Sequence, residues 1–213
     1  KYFPNSKIIS KIKLDTINII LEFWYGKNVD KKQLFKYNQD KIKLCENKSF
    51  YKSNLNTYAV LVWLAALVGD GACAINPNLT NEINFQTLKK LCKIYNKRIV
   101  FISTCSVYGA QNGILDEKSN VNPLSHYASS KLKCEQILKG KNSIIFRLGT
   151  LFGVSDNYSR IRMDLVVNTL SAKAFFEKKM SVFGGEQYRP LLHVKDVARA
   201  LEVAIKSKKR GIF

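Results

Sequence analysis

FISTCSVYG, at residues 101–109, predicts a short buried strand that ends at Thr104 and runs into a turn rich in hydroxyl groups. PLSHYASSKLKCEQ, at residues 123–136, predicts the start of a helix. Ligands of open α/β sheets bind at the carboxyl ends of the strands. The two stretches therefore predict a ligand-binding sheet edge with a helix beside it.

Tyr127 and Lys131 lie four residues apart in the predicted helix, so both side chains project from one helix face. A tyrosine hydroxyl ordinarily titrates near ~10, and a neighbouring ammonium group favours the phenolate. The pair can therefore supply a general base near neutral pH. This pattern predicts a site for removing a proton from a substrate.

Strand-like and helix-like runs alternate along the chain. INIIL at 17–21 predicts a strand that ends at Glu22, and LNTYAVLVWLAALVG at 55–69 predicts a buried strand that enters a loop. Such βαβ alternation predicts an α/β fold with a doubly wound parallel sheet. An acidic residue after the second strand of a dinucleotide-binding fold bonds the adenosine ribose, so Glu22 favours NAD over NADP. A solvated carboxylate at a strand end is the alternative.

Five further runs strengthen this interpretation: LAALVGD (64–70), NPNLTNEIN (76–84), STCSVYG (103–109), RLGTLFG (147–153) and RPLLHVKDVA (189–198). In their order and spacing they resemble the extended short-chain dehydrogenase/reductase family, whose members epimerise, dehydrate or reduce nucleotide-activated sugars. The resemblance covers nearly the whole chain. It implies part of an NAD-binding Rossmann domain at 1–150 and part of a nucleotide-sugar-binding region at 151–213, with a helix at 194–206 that returns to the Rossmann domain.

The resemblance also assigns roles to particular residues. The implied catalytic residues are Thr104, Tyr127 and Lys131. The implied NAD-binding residues are Glu22, Leu64, Ala65, Ala66, Val68, Asn84, Tyr127 and Lys131, and the implied substrate-binding residues are Thr104, Thr150 and Arg189. A guanidinium group suits phosphate oxygens, so Arg189 is expected to contact the nucleotide diphosphate. A surface ion pair with Glu186 or Asp196 is the alternative for Arg189.

Two departures from the family pattern bear on function. Cys105 and Ser106 stand where sugar 4,6-dehydratases of this family have Asp-Glu, so the apparatus for water elimination is missing. The first strand and its glycine-rich turn are also missing, because KYFPNSKIISKIKLD (1–15) falls where the family has the end of that turn and the first helix, and no glycine precedes Gly26. Both ends of the sequence look truncated, and degeneration of the turn remains open.

The resemblance implies an NAD-dependent nucleotide-sugar epimerase that removes and returns a hydride at a sugar carbon, with C4 favoured. A reductase of nucleotide 4-keto-sugars would use the same three catalytic residues, and a catalytically silent fragment is a third alternative. Family members pair two helices across a dimer. Apolar residues at helical spacing in 78–96, and in the helix that begins near Tyr127, therefore predict a homodimer.

Composition constrains the remaining possibilities. The net charge is +19, but the lysines are scattered and form no nucleic-acid-binding signature, so we expect no nucleic-acid partner. No run is apolar enough to predict a membrane span, and no signal peptide is recognised. The five cysteines form no CxxC pair and neither histidine has a metal-ligand neighbour, which predicts a cytoplasmic protein without a metal site.

Overall fold

The computed structural model describes residue 55 and residues 58–153, 165–182, 184–186 and 188–213. The predicted strand at 17–21, Glu22 and the stretch 1–15 lie outside the described residues. The preference for NAD that was based on Glu22 therefore stays a prediction.

The described elements alternate between strands and helices, as the sequence predicts. In chain order they are β1 (Val60–Trp63), α1 (Asp70–Ile75), α2 (Pro77–Asn81), a π-helical turn (Glu82–Gln86), α3 (Thr87–Ile94), β2 (Arg98–Thr104), a 3-10 turn (Cys105–Tyr108), α4 (His126–Leu138), β3 (Ser143–Leu148), β4 (Thr150–Phe152), α5 (Val166–Glu177), β5 (Leu191–His193), α6 (Val194–Lys206) and β6 (Gly211–Ile212).

Four of these strands form a parallel sheet in the order β1-β2-β3-β6. In register, Val62 faces Val100 across the β1–β2 pair, and Thr104 faces Leu148 across the β2–β3 pair. Parallel strands need crossover connections, and the helices between them supply these. All the strands consequently end at the same edge of the sheet, and Thr104 lies there.

Helices cover both faces of the sheet. Ile99 and Phe101 point to a core that includes Leu88 and Leu91 of α3. Val100, between them, points to the other face, where it packs with Ala204 of α6. Alternate side chains of a strand point to opposite faces of the sheet. Because helices cover both faces, both sets of β2 side chains are buried. The expected α/β, doubly wound architecture is confirmed.

A second, two-stranded parallel sheet pairs β4 with β5. It is joined closely to the end of β3, where Thr150 N donates to Pro190 O at 2.7 Å. A side chain at Gly149 would meet Pro190 O at 2.7 Å, so only glycine allows this approach. The consequence is that Thr150 and the residues just before β5 come together.

The 3-10 turn after β2 ends at Gly109, whose φ is +73°. The loop before α4 packs on this turn, and Asn122 N donates to Val107 O at 3.0 Å. A Cβ at Gly109 would lie 2.0 Å from Asn122 O. Glycine therefore permits both the backbone conformation and the close contact that hold this loop at the carboxyl edge of the sheet.

Gly109→Ala is expected to lower the free energy of unfolding by roughly 3 kcal/mol, because left-handed strain and overpacking add together. Gly113→Ala is the matched control, since Gly113 also has a positive φ of +87° but has nothing within 4 Å of its added Cβ. The control should cost only about 1 kcal/mol. Urea unfolding of both variants measures the difference, and equal losses would contradict the proposed contact.

Candidate active site at the carboxyl edge of the sheet

Helix α4 presents Tyr127 and Lys131, and its start is fixed by two hydrogen bonds. Ser125 is the N-cap, and its Oγ accepts from Ala128 N at 3.1 Å. The same Oγ donates to Asp70 Oδ1 at 2.7 Å. Because Asp70 opens α1, the first turn of α4 is tied to the loop that follows β1.

Lys131 is buried, although lysine is rarely so. Its Nζ donates to the carbonyl oxygen of Ile102 in β2 at 2.8 Å. It lies 4.9 Å from the centroid of the Phe101 ring and 5.9 Å from that of Tyr127. Burial lowers the pKa of Lys131 to about 8, against opposing effects of Cys134, Cys73 and Glu135. The group is therefore a cation at neutral pH and loses its proton near the alkaline end of the physiological range.

Thr104 lies at the end of β2, as predicted, and is buried. Its Oγ1 accepts from Ser106 N and donates to Ser106 Oγ, both at 3.2 Å. Lys131 contacts the strand two residues earlier, at Ile102. The structure thus brings α4 against the end of β2, with Tyr127 and Thr104 on the two elements.

The side chain of Asn84 holds the loop at 64–68 through two hydrogen bonds to the backbone of Leu67. The Asn84 amide accepts from Leu67 N at 2.6 Å and donates to Leu67 O at 3.0 Å. It also donates to Ser130 Oγ at 3.0 Å, and Ser130 Oγ donates to Tyr127 O at 2.7 Å. Asn84 lies in the π-helical turn, a local distortion that is frequent at functional sites.

Asn84 is 1% exposed, and each hydrogen-bonding atom of its amide has a protein partner. Asn84 therefore joins the loop at 64–68 to α4. Leu64 and Val68 are half-buried, whereas Ala65 and Ala66 are buried.

The predicted substrate-binding residues Thr150 and Arg189 are brought together by the small sheet. Thr150 N bonds Pro190 O, and Arg189 is the next residue before Pro190. Arg189 is exposed, and its charge also reaches Cys105, beside Thr104. No ion pair joins Arg189 to Glu186 or Asp196 in the part of the chain that the structure describes. Asp196 Oδ1 instead lies 3.1 Å from Arg199 Nη1.

Cys105 packs as a half-buried residue. Burial raises the pKa of its thiol, although its own backbone N–H, Arg189 and Thr104 oppose the shift. A raised pKa disfavours the thiolate that a nucleophile needs. Cys105 therefore has a packing role rather than a nucleophilic one. His193 likewise has a structural role, since its Nδ1 caps α6 by accepting from Lys195 N at 3.2 Å.

Sequence reasoning missed a buried polar network behind Lys131. Glu135 accepts from Ser103 Oγ and forms an ion pair with Arg147, whose Nη2 lies 2.7 Å from Glu135 Oε2. The i,i+4 spacing of Lys131 and Glu135 was the available signal, because it places the carboxylate one turn from the lysine. Nothing local marks Arg147 as its partner.

The residues present fit an NAD cofactor. The buried ammonium group of Lys131 carries three protons, and Ile102 O is its only hydrogen-bond acceptor among the described residues. The other two protons are suited to ribose hydroxyl groups. The loop at 64–68, pinned by Asn84, offers backbone and small apolar side chains at the strand edge where dinucleotides bind.

The described ranges contain neither a metal cluster nor a membrane-spanning helix. No group of three or more His, Cys, Asp or Glu side chains there could hold a metal ion. No helix in those ranges has the length and apolar composition needed to span a membrane. Cys73, Cys92, Cys105 and Cys134 are free thiols.

The fold and this site define a Rossmann-like protein of the short-chain dehydrogenase type. The model of the NAD dependent epimerase/dehydratase family matches residues 26–213. The chain belongs to this family. The expected resemblance is thereby confirmed, as is NAD as the family's cofactor.

Comparison with individual proteins gives the same class. An uncharacterized UDP-glucose epimerase, YtcB of Bacillus subtilis (strain 168), is 29% identical over 133 residues, which are 57% of this chain and 40% of the relative. UDP-glucose 4-epimerase of Azospirillum brasilense is 29% identical over 152 residues, covering 62% of this chain and 43% of the relative. The chain spans about half the length of the curated relatives it matches.

A solved structure supports the fold assignment. UDP-N-acetylglucosamine 4-epimerase from Methanobrevibacter ruminantium M1, in complex with UDP-N-acetylmuramic acid, superposes with a TM-score of 0.66 at 26% identity. The match covers 79% of this chain and 57% of that one. The comparisons thus identify the family of this chain, which contains nucleotide-sugar epimerases and dehydratases.

Proposed function

We propose that the complete protein is an NAD-dependent nucleotide-sugar epimerase that inverts C4 of the sugar. The observation that carries this proposal is the buried cation Lys131, fixed to the end of β2 one helical turn from Tyr127. An ammonium group in that place stabilises a phenolate, which is the base that sugar oxidation requires. The names of the relatives support the substrate class.

In the proposed mechanism, Tyr127 removes the proton from the C4 hydroxyl of the sugar. NAD, held by Lys131 and the loop at 64–68, would supply reversible hydride transfer at the same carbon, with return of the hydride to the opposite face of the keto-sugar. Tyr127 then gives the proton back to the C4 oxygen. The cycle consumes no cofactor, and atoms balance between the two C4 epimers.

Thr104 and Lys131 assist Tyr127 in different ways. The Thr104 hydroxyl donates to Ser106 Oγ, and rotation about its C–O bond would redirect this proton to the sugar oxygen. Lys131 supplies the positive charge that favours the phenolate and bonds the nicotinamide ribose through its remaining protons. Both groups act at the oxygen side of the reacting carbon, where charge changes during the reaction.

The remaining predicted residues bind the two ligands. Leu64, Ala65, Ala66 and Val68 would line the nicotinamide side of the cofactor. Asn84 would act through Leu67, because its amide is engaged by that residue and by Ser130. Exposed Arg189 would contact the diphosphate of the nucleotide sugar, with Thr150 beside it.

Dehydration is disfavoured by the residues that follow Thr104. The dehydratases that the chain resembles have an acid and a base there, whereas this chain has Cys105, with a raised thiol pKa, and Ser106. Neither is suited to proton transfer at neutral pH. This separates the proposal from the dehydratase branch of the family.

The proposal is tested by incubating the full-length protein with UDP-glucose or UDP-N-acetylglucosamine and a catalytic amount of NAD. Epimerisation at C4 should appear in the proton NMR spectrum of the sugar without accumulation of NADH. A reductase would instead consume NADH in stoichiometric amounts with a nucleotide 4-keto-sugar. Binding of the nucleotide sugar without either reaction would identify a catalytically silent protein and contradict the proposal.

We further propose that the complete protein is a homodimer formed through α3 and α4. Part of the predicted apolar stripe is used inside the chain, because Leu79, Ile83, Leu88 and Leu91 are buried in the core. Half-buried residues remain for a partner, namely Leu132 and Ile137 on α4 and Phe85 in the π-helical turn that leads into α3.

Light scattering of the full-length protein at micromolar concentration should give the mass of two chains. Ile137→Lys should shift that mass toward the monomer, since an unpaired charge in an apolar interface is costly. Lys173→Glu on α5 is a control outside the two helices and should leave the mass unchanged. A wild-type protein with the mass of one chain would contradict the dimer.

A further inference from the structure

The buried ion pair of Glu135 and Arg147 has no place in the proposed chemistry. Arg147 Nη2 is 2.7 Å from Glu135 Oε2, and Arg147 Nε bonds both carboxylate oxygens at 3.1 and 3.2 Å. The two side chains are only 6% and 3% exposed. Buried ion pairs add little stability on average, because desolvation offsets their attraction. Stability alone is therefore a weak explanation for this pair.

The pair links the elements that build the candidate active site. Glu135 lies on α4 and accepts from Ser103 Oγ, next to Thr104 at the end of β2. Arg147 lies on β3, and its guanidinium group stacks 4.9 Å from the centroid of the Tyr108 ring in the 3-10 turn. Arg147 Nη1 also donates to Glu117 O at 3.4 Å. The contacts of this ion pair thus connect α4, the ends of β2 and β3, the 3-10 turn and the loop that contains Glu117.

The charge of Glu135 also influences the pKa of Lys131. Burial lowers the pKa of Lys131, and Glu135 is among the groups that act in the opposite sense. Cys134, Cys73 and Glu135 act on the charge of Lys131, and the Tyr127 ring lies 5.9 Å from its Nζ. Asp70 acts on Cys73, and Arg147 pairs with Glu135. His126 and Lys133 on α4 and Arg98 on β2 are further charged or titratable groups of these elements. Burial raises the pKa of Cys73 to about 11 and that of Cys134 to about 12, so both thiols are neutral.

We propose that Glu135 and Arg147 are positioning residues for the proposed reaction: their ion pair keeps Lys131 charged and holds the Thr104 end of β2 against α4. The carboxylate is one helical turn from Lys131, and Arg147 neutralises it on the β3 side. A lone carboxylate there would be costly to bury, and a lone guanidinium would repel the lysine cation. Only the complete pair avoids both effects.

This inference rests on the proposed function in assigning a catalytic role to Lys131. The charge of Lys131, however, can be measured without turnover. In full-length protein labelled with ¹³C at the lysine Cε, the NMR shift of Lys131 is followed against pH, and its signal is assigned by its loss in Lys131→Met.

In Glu135→Gln the titration midpoint of Lys131 should fall by at least about half a pH unit, since one opposing charge is lost and Arg147 is left unpaired. Adding Arg147→Met to Glu135→Gln should restore part of that fall. Ser103→Ala is the matched control. It removes one hydrogen bond to Glu135 but no charge, and it should leave the midpoint unchanged.

Turnover supplies the second measurement. The alkaline limb of kcat against pH should move down with the Lys131 midpoint in Glu135→Gln and recover partly in the double variant, which loss of packing alone would not produce. An unchanged midpoint in folded Glu135→Gln overturns the inference. If that variant does not fold, the double variant decides: a midpoint below that of the wild type supports the inference, and an equal midpoint overturns it.

The two proposals fail in distinguishable ways. A shifted midpoint in a protein that has no epimerase activity would retain the electrostatic role of the pair and reject the proposed reaction. Epimerase activity with an unshifted midpoint would retain the reaction and reject the role of the pair.

Discussion

Tyr127→Phe is expected to lower turnover of the complete protein by at least about 100-fold, because general-base catalysis typically contributes that much or more. The substitution removes one oxygen atom and keeps the ring that packs half-buried beside the core. The fold should therefore survive, and binding of NAD should change much less than kcat. The measurement is kcat for the C4 epimerisation, with circular dichroism as the check on folding.

Tyr58→Phe is the matched control for this variant. Tyr58 precedes β1 at the amino edge of the sheet and is partly exposed. Its substitution by Phe removes the same hydroxyl oxygen, but far from the strand ends that form the candidate site. It should leave kcat unchanged. A Tyr127→Phe enzyme that retains nearly all of its turnover would remove Tyr127 from the mechanism and with it the proposed base.

The sequence was sufficient to predict the sheet edge and the helix that flanks it. Apolar runs bounded by polar turns predicted β1 and β2, and the structure places Thr104 at the end of β2 as expected. The i,i+4 spacing of Tyr127 and Lys131 is a local property, and helix α4 contains both residues. Local periodicity determines such features, so they can be inferred without knowledge of the fold.

The contacts that tune the site were not predictable in the same way. Asn84 reaches the backbone of Leu67 and the hydroxyl of Ser130, which is 46 residues away in sequence. Glu135 meets Arg147 only because α4 packs beside β3. These partners depend on how the elements pack, which the spacing of residues within one element does not encode. The apolar stripe of α3 shows the same limit, since its pattern predicted an amphipathic helix and not which side of it would be buried within the chain.

The burial of Lys131 could not be predicted from the sequence either. It is expected to make the stability of the protein depend on pH. The pKa of Lys131 is about 8 in the folded protein against an ordinary value of 10.5. Between these values the unfolded chain holds a proton that the folded chain has released. Stability therefore rises as the pH increases from 8 toward 10.5, and the full cost of burying the cation is present below pH 8.

Lys131→Met should abolish this dependence. Relative to the variant, the wild-type protein should gain on the order of 3 kcal/mol in free energy of unfolding between pH 8 and pH 10.5. Urea unfolding at intervals across this range measures the difference, and Lys133→Met, on an exposed position of the same helix, should give a curve parallel to the wild type. Parallel curves for Lys131→Met would show that Lys131 keeps its ordinary pKa. The cation would then be solvated and could not be the buried, strand-bound charge on which the proposed base depends.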